Sequence, residues 1–264
     1  MDSGTGPDFP ATFDGLLQLV KRLREPGGCP WDREQTRQTM TRFVMEECYE
    51  LIDAMDADQP REIAEEIGDV AFNLAFQIQL AKENGEFSEG DVFGTVIEKL
   101  TRRHPHVFGD VEASTSDEVL DNWRQIKKAE RGGNQGALAG VPAGMPALAH
   151  ALTIQERAAG VGFDWEDPEA VLLKVNEELE ELAGADTSQE REAELGDLLF
   201  SIVNAARWMD IDPEAALRGT AHRFRQRFRS MEQMADKDGQ ILAQLDLEQK
   251  EALWQRAKSA THAE

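Results

Sequence analysis

Basic residues, cysteines and long apolar runs are all scarce in this sequence, and each shortage excludes a class of protein. Lys and Arg number 28 against 51 Asp and Glu, which gives a net charge of −23. Nucleic acids and anionic membranes bind through clustered positive charge. The 2 cysteines cannot build a disulfide framework. We therefore expect no nucleic-acid partner, no membrane partner and no disulfide-dependent scaffold.

Targeting signals and phosphate-binding loops are missing as well. The sequence contains no run of about 18 apolar residues, and residues 1–10 do not combine a basic region with an apolar run as signal peptides do. We expect a cytoplasmic protein. The loop GxxxxGK[ST], which cradles phosphates in many nucleotide enzymes, is also absent. Any phosphate chemistry must therefore use other groups.

Two glutamates occupy positions where a buried helix should be apolar. Glu47 and Glu66 each follow one apolar residue by three positions and precede another by four, so both lie inside the stripe that a helix turns toward a core. The first stripe consists of Val44, Cys48, Leu51, Ile52 and Met55, and the second of Ile63, Ile67, Val70 and Leu74. A carboxylate is costly in such a place unless it is neutralised, which indicates a functional role.

Each of these glutamates has a second carboxylate three residues further on. Glu47 pairs with Glu50, and Glu66 pairs with Asp69, because residues three apart share a helix face. Pro60 suits the first turn of a new helix, so the two helices should be antiparallel with all four carboxylates together. Such anions are costly unless they are protonated or neutralised by a cation, and an all-oxygen set selects Mg²⁺ or Mn²⁺. The sequence therefore predicts a metal site.

The acidic pattern occurs a second time. Glu178 and Glu194 interrupt apolar stripes in the second half, and Glu181 and Asp197 follow them by three residues. A solvated helix face is the usual explanation of a single ExxE motif, and a second copy of the motif weakens that explanation. These four carboxylates are predicted to form a second metal site.

Basic and aromatic residues repeat too. The repeated features are the basic pairs Lys99/Arg103 and Arg223/Arg227 and the aromatic and basic pairs Trp123/Lys127 and Trp254/Lys258, with Arg102 adding charge to the first half. Such pairs can hold phosphates and stack on a base, or equally balance a helix C-terminus and anchor a terminal helix. Lys174 is not duplicated. It stands one turn before Glu178, where the first half has Phe43 with Arg42 beside it.

Helical periodicity runs through both halves, and no strand pattern appears. Helices are predicted over 13–23, 33–55, 60–84, 88–103 and 116–131, and then over 146–159, 168–184, 189–209, 213–236 and 247–260. Residues 132–144 have the glycine-rich composition of a linker. We predict an all-α fold with two tandem helical-bundle domains, 1–131 and 145–264.

These stretches, in this order, resemble the MazG family of nucleoside triphosphate pyrophosphohydrolases over nearly the whole chain. The likeness is carried by CPWD at 29–32, the EExxE and ExxD blocks of both halves, RRHPHVFG at 102–109 and VGFDW at 161–165. The resemblance implies tandem MazG-like domains, a homodimer, and Mg²⁺-dependent cleavage of NTPs and dNTPs to monophosphate and pyrophosphate in nucleotide-pool house-cleaning.

The resemblance also implies roles for individual residues. The metal-binding and catalytic carboxylates would be Glu178, Glu181, Glu194 and Asp197, with first-half equivalents Glu47, Glu50, Glu66 and Asp69. The nucleotide would be held by Lys174, Arg223, Arg227, Trp254 and Lys258, and in the first half by Lys99, Arg102, Arg103, Trp123 and Lys127. Because only the second half has Lys174, we predict that it is the stronger catalyst.

Two other classes stay open at this stage. A di-iron carboxylate bundle uses Glu-x-x-His pairs, which the sequence lacks. A non-catalytic helical interaction module would use the carboxylates only as surface. The proton acceptor also stays open, with Glu46 and Glu177 as candidates. Stacking tolerates every base, so base and sugar preference are undecided. The stacking candidates are Trp31, Trp123, Trp165 and Trp254.

Overall fold

The computed structural model describes residues 9–130 and 136–261, and these ranges are built from helices and turns. They contain twelve α-helices and one 3₁₀ helix, and no β-strand occurs within them. The predicted all-α class is confirmed. The chain divides into two compact units, Met1–Gly132 and Gly133–Glu264. The first residues of the predicted linker, 132–135, lie outside the described ranges. None of the described helices has the length and apolarity needed to cross a bilayer.

The first unit contains seven helices of unequal length. They are α1 (Phe13–Arg24), α2 (Pro30–Glu34), α3 (Arg37–Asp56), α4 (Pro60–Glu83), α5 (Glu89–Arg103), α6 (Pro105–Phe108) and α7 (Ser116–Glu130). Their starts follow local chemistry. Pro60 lies in the first turn of α4, where its missing N–H is not needed. Ser88 and Asp91 form a capping box that begins α5.

The predicted helix 33–55 is wrong at its start. Pro30–Glu34 form a separate short helix, and the backbone is extended at Gln35 and Thr36 before α3 begins. Thr36 accepts a hydrogen bond from the backbone N–H of Thr39, whose own hydroxyl accepts from the N–H of Thr36. This capping box satisfies the backbone at the start of α3, so the two helices do not merge.

The second unit contains five further helices. They are α8 (Ala147–Ala159), α9 (Pro168–Gly184), α10 (Ser188–Trp208), α11 (Pro213–Lys237) and α12 (Leu247–Thr261), with a 3₁₀ helix at Leu242–Gln244. Asp167 and Asp212 cap α9 and α11, each followed by a proline in the first turn. Thr187 and Glu190 form the capping box of α10. The caps therefore fix where the site-bearing helices begin.

The central feature of the first unit is the antiparallel pair α3 and α4. Residues 57–59 reverse the chain between them, and Asp58 has a φ of 50°, a left-handed conformation that aspartate tolerates better than most residues. The helix α1 packs against α4. The core consists of Leu17, Val20, Met40, Ala75, Phe76, Ile78 and Leu80. It occupies the end of the pair away from the turn and leaves the acidic residues nearer the turn.

The second unit repeats this arrangement. The helices α9 and α10 pack together, and α8 packs against α10 as α1 does against α4. A separate core lies between α11 and α12 and consists of Met231, Ala235, Leu253 and Ala257. Each unit thus presents a pair of long helices that carries its acidic motifs.

Part of the predicted burial is wrong. Met55, Ile67 and Leu74 belong to the predicted apolar stripes, yet they are 51%, 50% and 48% exposed. The helix α4 turns a different face toward α1, and its buried residues are concentrated between Asn73 and Ala81. The described residues of this chain therefore leave one face of α4 near the acidic residues exposed.

Candidate metal and nucleotide site

In the first unit, three carboxylates meet between α3 and α4. Carboxylate oxygens of Glu47, Glu66 and Asp69 all lie within 4.8 Å of one another. Glu66 and Asp69 share one face of α4 because they are three residues apart, and Glu47 reaches them from the facing helix. We call this group the first cluster.

Negative charge is concentrated at the first cluster. Burial raises the pKa of Glu47, and the carboxylates of Asp69, Glu50, Glu66 and Glu46 raise it further. The pKa of Glu66 is raised by burial and then by Glu50 and Asp69. One oxygen of Glu66, Oε2, is buried without a hydrogen-bond partner. An all-carboxylate group with an unpartnered buried oxygen fits a hard divalent cation.

The second unit holds the equivalent group between α9 and α10. Carboxylate oxygens of Glu178, Glu194 and Asp197 lie within 4.8 Å of one another, and we call them the second cluster. Glu178 is 5% exposed. Burial raises the pKa of the adjacent Glu181, with further contributions from Glu178 and Glu194. The second cluster therefore also concentrates negative charge in a partly buried site.

A lysine enters the second cluster. The Nζ of Lys174 lies 2.7 Å from Oε1 of Glu178 and 2.8 Å from Oε1 of Glu177. Its hydrogen bonds with Glu177 and then Glu178 raise the pKa of Lys174, so the ammonium stays charged. The structure thus places Lys174 beside the second cluster, where the sequence predicts it. Its partners there are the carboxylates of Glu177 and Glu178.

Among the described residues, no cation takes the place of Lys174 at the first cluster. Phe43 occupies the corresponding place on α3 and packs edge-on against Trp31, with ring centroids 5.6 Å apart. The guanidinium of Arg42 lies over the Phe43 ring, 4.4 Å from its centroid. No ion pair found among the described residues involves Glu47, Glu66 or Asp69. The two clusters therefore differ in charge although they share a carboxylate pattern.

The comparisons with known proteins agree with this architecture. The model of the MazG nucleotide pyrophosphohydrolase domain matches residues 35–108, which include the first cluster. The nucleoside triphosphate pyrophosphohydrolase/pyrophosphatase MazG of Thermotoga maritima is 44% identical over 247 residues, covering 93% of this chain and 95% of that protein. The chain belongs to the MazG family. A nucleoside triphosphate pyrophosphohydrolase of Escherichia coli K12 is 41% identical over 93% of this chain and 97% of its own length.

Not every relative in the family is of the same size. The uncharacterized protein YabN of Bacillus subtilis is 41% identical over 93% of this chain, but the match covers only 51% of that protein. Family membership therefore rests on relatives that the chain covers almost end to end.

Four carboxylates are predicted for each metal site, and one of the four lies outside the cluster of three in both units. Glu50 and Glu181 are exposed, and neither is part of the set whose oxygens lie within 4.8 Å. Glu50 still acts on the first cluster, because it raises the pKa of Glu47 and Glu66, and Glu178 and Glu194 raise the pKa of Glu181. Glu50 and Glu181 thus border the clusters, and their role as ligands stays a prediction.

The basic residues at the end of α5 are held by an acid that the sequence reasoning missed. Glu130 accepts hydrogen bonds from Arg102, with Nη2 to Oε1 at 2.7 Å, and from Arg103, with Nη2 to Oε2 at 2.6 Å. These bonds, that of Arg103 first, lower the pKa of Glu130 to about 2. Glu130 ends a different helix, 27 residues beyond Arg103. No helical spacing could have revealed this contact.

The remaining predicted nucleotide residues lie on α5, α7, α11 and α12. Lys127 lies over the ring of Trp123, with its Nζ 3.6 Å from the centroid. In the second unit, Trp254 packs against Phe224 at a centroid distance of 5.1 Å. Arg223 donates to the hydroxyl of Thr220. Lys99 lies one turn before Arg103, and Arg227 and Lys258 lie one turn after Arg223 and Trp254. The structure thus brings Trp123 and Lys127 together as predicted.

Proposed function

We propose that this protein is a Mg²⁺-dependent nucleoside triphosphate pyrophosphohydrolase that cleaves NTPs and dNTPs between the α and β phosphates. The observation that carries the proposal is the pair of three-carboxylate clusters, in a chain similar over nearly its whole length to proteins named for that activity. A homodimer is part of the proposal. It is supported by the exposed apolar residues Ile67 and Leu74 on α4 and Leu199 on α10.

The carboxylates fit Mg²⁺ by chemistry and by spacing. Glu47, Glu66 and Asp69, or Glu178, Glu194 and Asp197, would hold it, because their oxygens lie within 4.8 Å of one another and Mg²⁺ prefers carboxylate oxygens as ligands. When bound, Mg²⁺ would neutralise charge on the phosphates and so favour attack by water. Mn²⁺ prefers similar ligands.

The chain's own residues would then divide the remaining work. The basic residues Lys174, Arg223 and Arg227 would bind the polyphosphate, because guanidinium and ammonium groups donate strong hydrogen bonds to phosphate oxygens. Trp254 and Lys258, with Trp123 and Lys127 in the first unit, would face the nucleoside and nearby phosphate. A carboxylate beside the cluster would take the proton of the attacking water. The buried setting of Glu178 would keep other waters away.

The test is product analysis. The purified full chain is incubated with a nucleoside triphosphate and Mg²⁺, and the phosphorus products are identified by ³¹P NMR. We expect pyrophosphate and nucleoside monophosphate in equal amounts. Orthophosphate with nucleoside diphosphate would mean that the bond between the β and γ phosphates is cleaved, which would contradict the proposal. No product in any form would favour the helical interaction module, and the double variant Glu47→Gln/Glu178→Gln serves as the inactive control.

We expect Arg103→Ala and Arg227→Ala to weaken triphosphate binding by about tenfold or more, and monophosphate binding much less. The reason is that each guanidinium is proposed to contact the polyphosphate tail, where a charged hydrogen bond has its largest effect. Calorimetric titration with α,β-methylene-ATP and with AMP measures the difference. Arg229→Ala, an exposed arginine on α11, is the control. Equal losses for both ligands would assign the arginines to structure.

A further inference from the structure

The two acidic clusters differ in whether a lysine contacts them. Lys174 lies 2.7 Å from Glu178, whereas Phe43 holds the corresponding place beside the first cluster and Arg42 stacks on its ring. The ammonium already satisfies the oxygen of Glu178 that it contacts. In the first cluster, Oε2 of Glu66 is buried without a partner.

This difference changes the charge that surrounds a divalent cation when it binds at each cluster. At the first cluster it finds only carboxylates, so its binding removes their mutual repulsion. At the second cluster it must share Glu178 with a positive charge or displace that charge. A positive charge at hydrogen-bond distance from a carboxylate repels any further cation that binds there, and it repels a divalent cation about twice as strongly as a monovalent one.

We propose that Lys174 is a built-in counter-cation that weakens the binding of free divalent metal at the second cluster, so that the first cluster fills at lower metal concentration. The proposal rests on the proposed function in one respect: a polyphosphate offers Lys174 an alternative anionic partner. When the ammonium moves from Glu178 to a phosphate, the carboxylate is released to the metal. Metal and triphosphate therefore bind cooperatively at the second cluster through this exchange. At the first cluster they bind without it.

The experiment measures Mn²⁺ binding to the full chain by the loss of the free-ion signal in electron paramagnetic resonance. Glu47→Gln/Glu66→Gln leaves only the second cluster intact, and Glu178→Gln/Glu194→Gln leaves only the first. We expect the Kd for Mn²⁺ at the second cluster to be about tenfold weaker than at the first. Adding Lys174→Met to the protein with only the second cluster should tighten that Kd by about tenfold.

Controls separate this effect from a general change in charge or fold. Lys237→Met removes the same charge from the same unit, on α11 rather than α9, and should leave the Mn²⁺ affinity unchanged. Lys174→Gln, which keeps a hydrogen-bond donor, should tighten binding like Lys174→Met, and circular dichroism checks that each variant is folded. Unchanged or weaker Mn²⁺ binding in both Lys174 variants would overturn the proposal.

A second arm tests the exchange of partners. Saturating α,β-methylene-ATP should tighten Mn²⁺ binding at the second cluster strongly when Lys174 is present and only weakly in Lys174→Met. Equal coupling in the two proteins would overturn the exchange. Neither arm depends on turnover: a chain that releases pyrophosphate but shows equal clusters contradicts this inference alone, and a chain without pyrophosphate release contradicts the proposed function alone.

Discussion

Replacing Glu178 with glutamine is expected to lower pyrophosphate release by about 10²- to 10³-fold, the range found when one preorganised group that stabilises transition-state charge is lost. Glu178 is 5% exposed and is the most buried of the three carboxylates of the second cluster. The substitution keeps its shape and its contact with Lys174 and removes only its charge. Steady-state assays of pyrophosphate release measure the effect.

The same assay assigns activity to the two halves. We expect Glu47→Gln to lower activity only a few-fold, because Lys174 serves the second cluster alone and Arg103 of the first unit is held by Glu130. Glu180→Gln, an exposed change on the same helix as Glu178, should have no effect. The neighbouring positions give an independent check: Glu181→Ala with full activity and Glu50→Ala with none, both with intact helicity, would reverse the assignment.

Mg²⁺ is expected to raise the melting temperature of the protein by about 10 °C when its concentration is about 100 times the Kd. A ligand at that excess stabilises the folded state by about 2.7 kcal/mol, and one kcal/mol corresponds to a few degrees in a unit of this size. Differential scanning calorimetry with Mg²⁺ and with EDTA measures it. If Glu47→Gln/Glu178→Gln keeps the full rise, the metal binds elsewhere.

The stabilisation by Mg²⁺ should also depend on pH. The pKa values of Glu47 and Glu66 are raised above the ordinary 4.5, so the metal-free folded protein binds protons more readily than the unfolded chain. The contribution of these two carboxyl groups to the stability of the metal-free protein therefore decreases as the pH rises from about 4.5 through their raised pKa values, and stays low above them. We expect Mg²⁺ to raise the melting temperature more at about pH 7.5 than at about pH 5.

The helices and the two acidic patterns were predictable because they depend on short-range chemistry. Pro60 and the pair Ser88 and Asp91 mark helix starts through backbone hydrogen bonding that any context preserves. Glu47 and Glu66 stand out because they break a stripe of period 3.6. The structure places both within the first cluster. The same argument failed at Thr36, where a capping box separated two helices that periodicity alone would join.

Contacts between distant residues were not predictable in this way. Glu130 pairs with Arg102 and Arg103 across two helices, and no repeat in the sequence marks it. The exposure of Ile67 and Leu74 was missed for a related reason: periodicity shows which residues share a face, but it does not show whether another helix of the same chain covers that face.

The hydrogen bonds between Glu130 and the two arginines, Arg102 and Arg103, affect which ligands the first unit can bind. A ligand can use the Nε and Nη2 donors of these arginines only by replacing a carboxylate that already accepts hydrogen bonds from both residues, with Nη2 distances of 2.7 and 2.6 Å. A polyphosphate carries more charge than one carboxylate and can compete, whereas a monophosphate gains little by the exchange. The first unit would thus discriminate against the reaction product, and accumulating monophosphate would inhibit it only weakly.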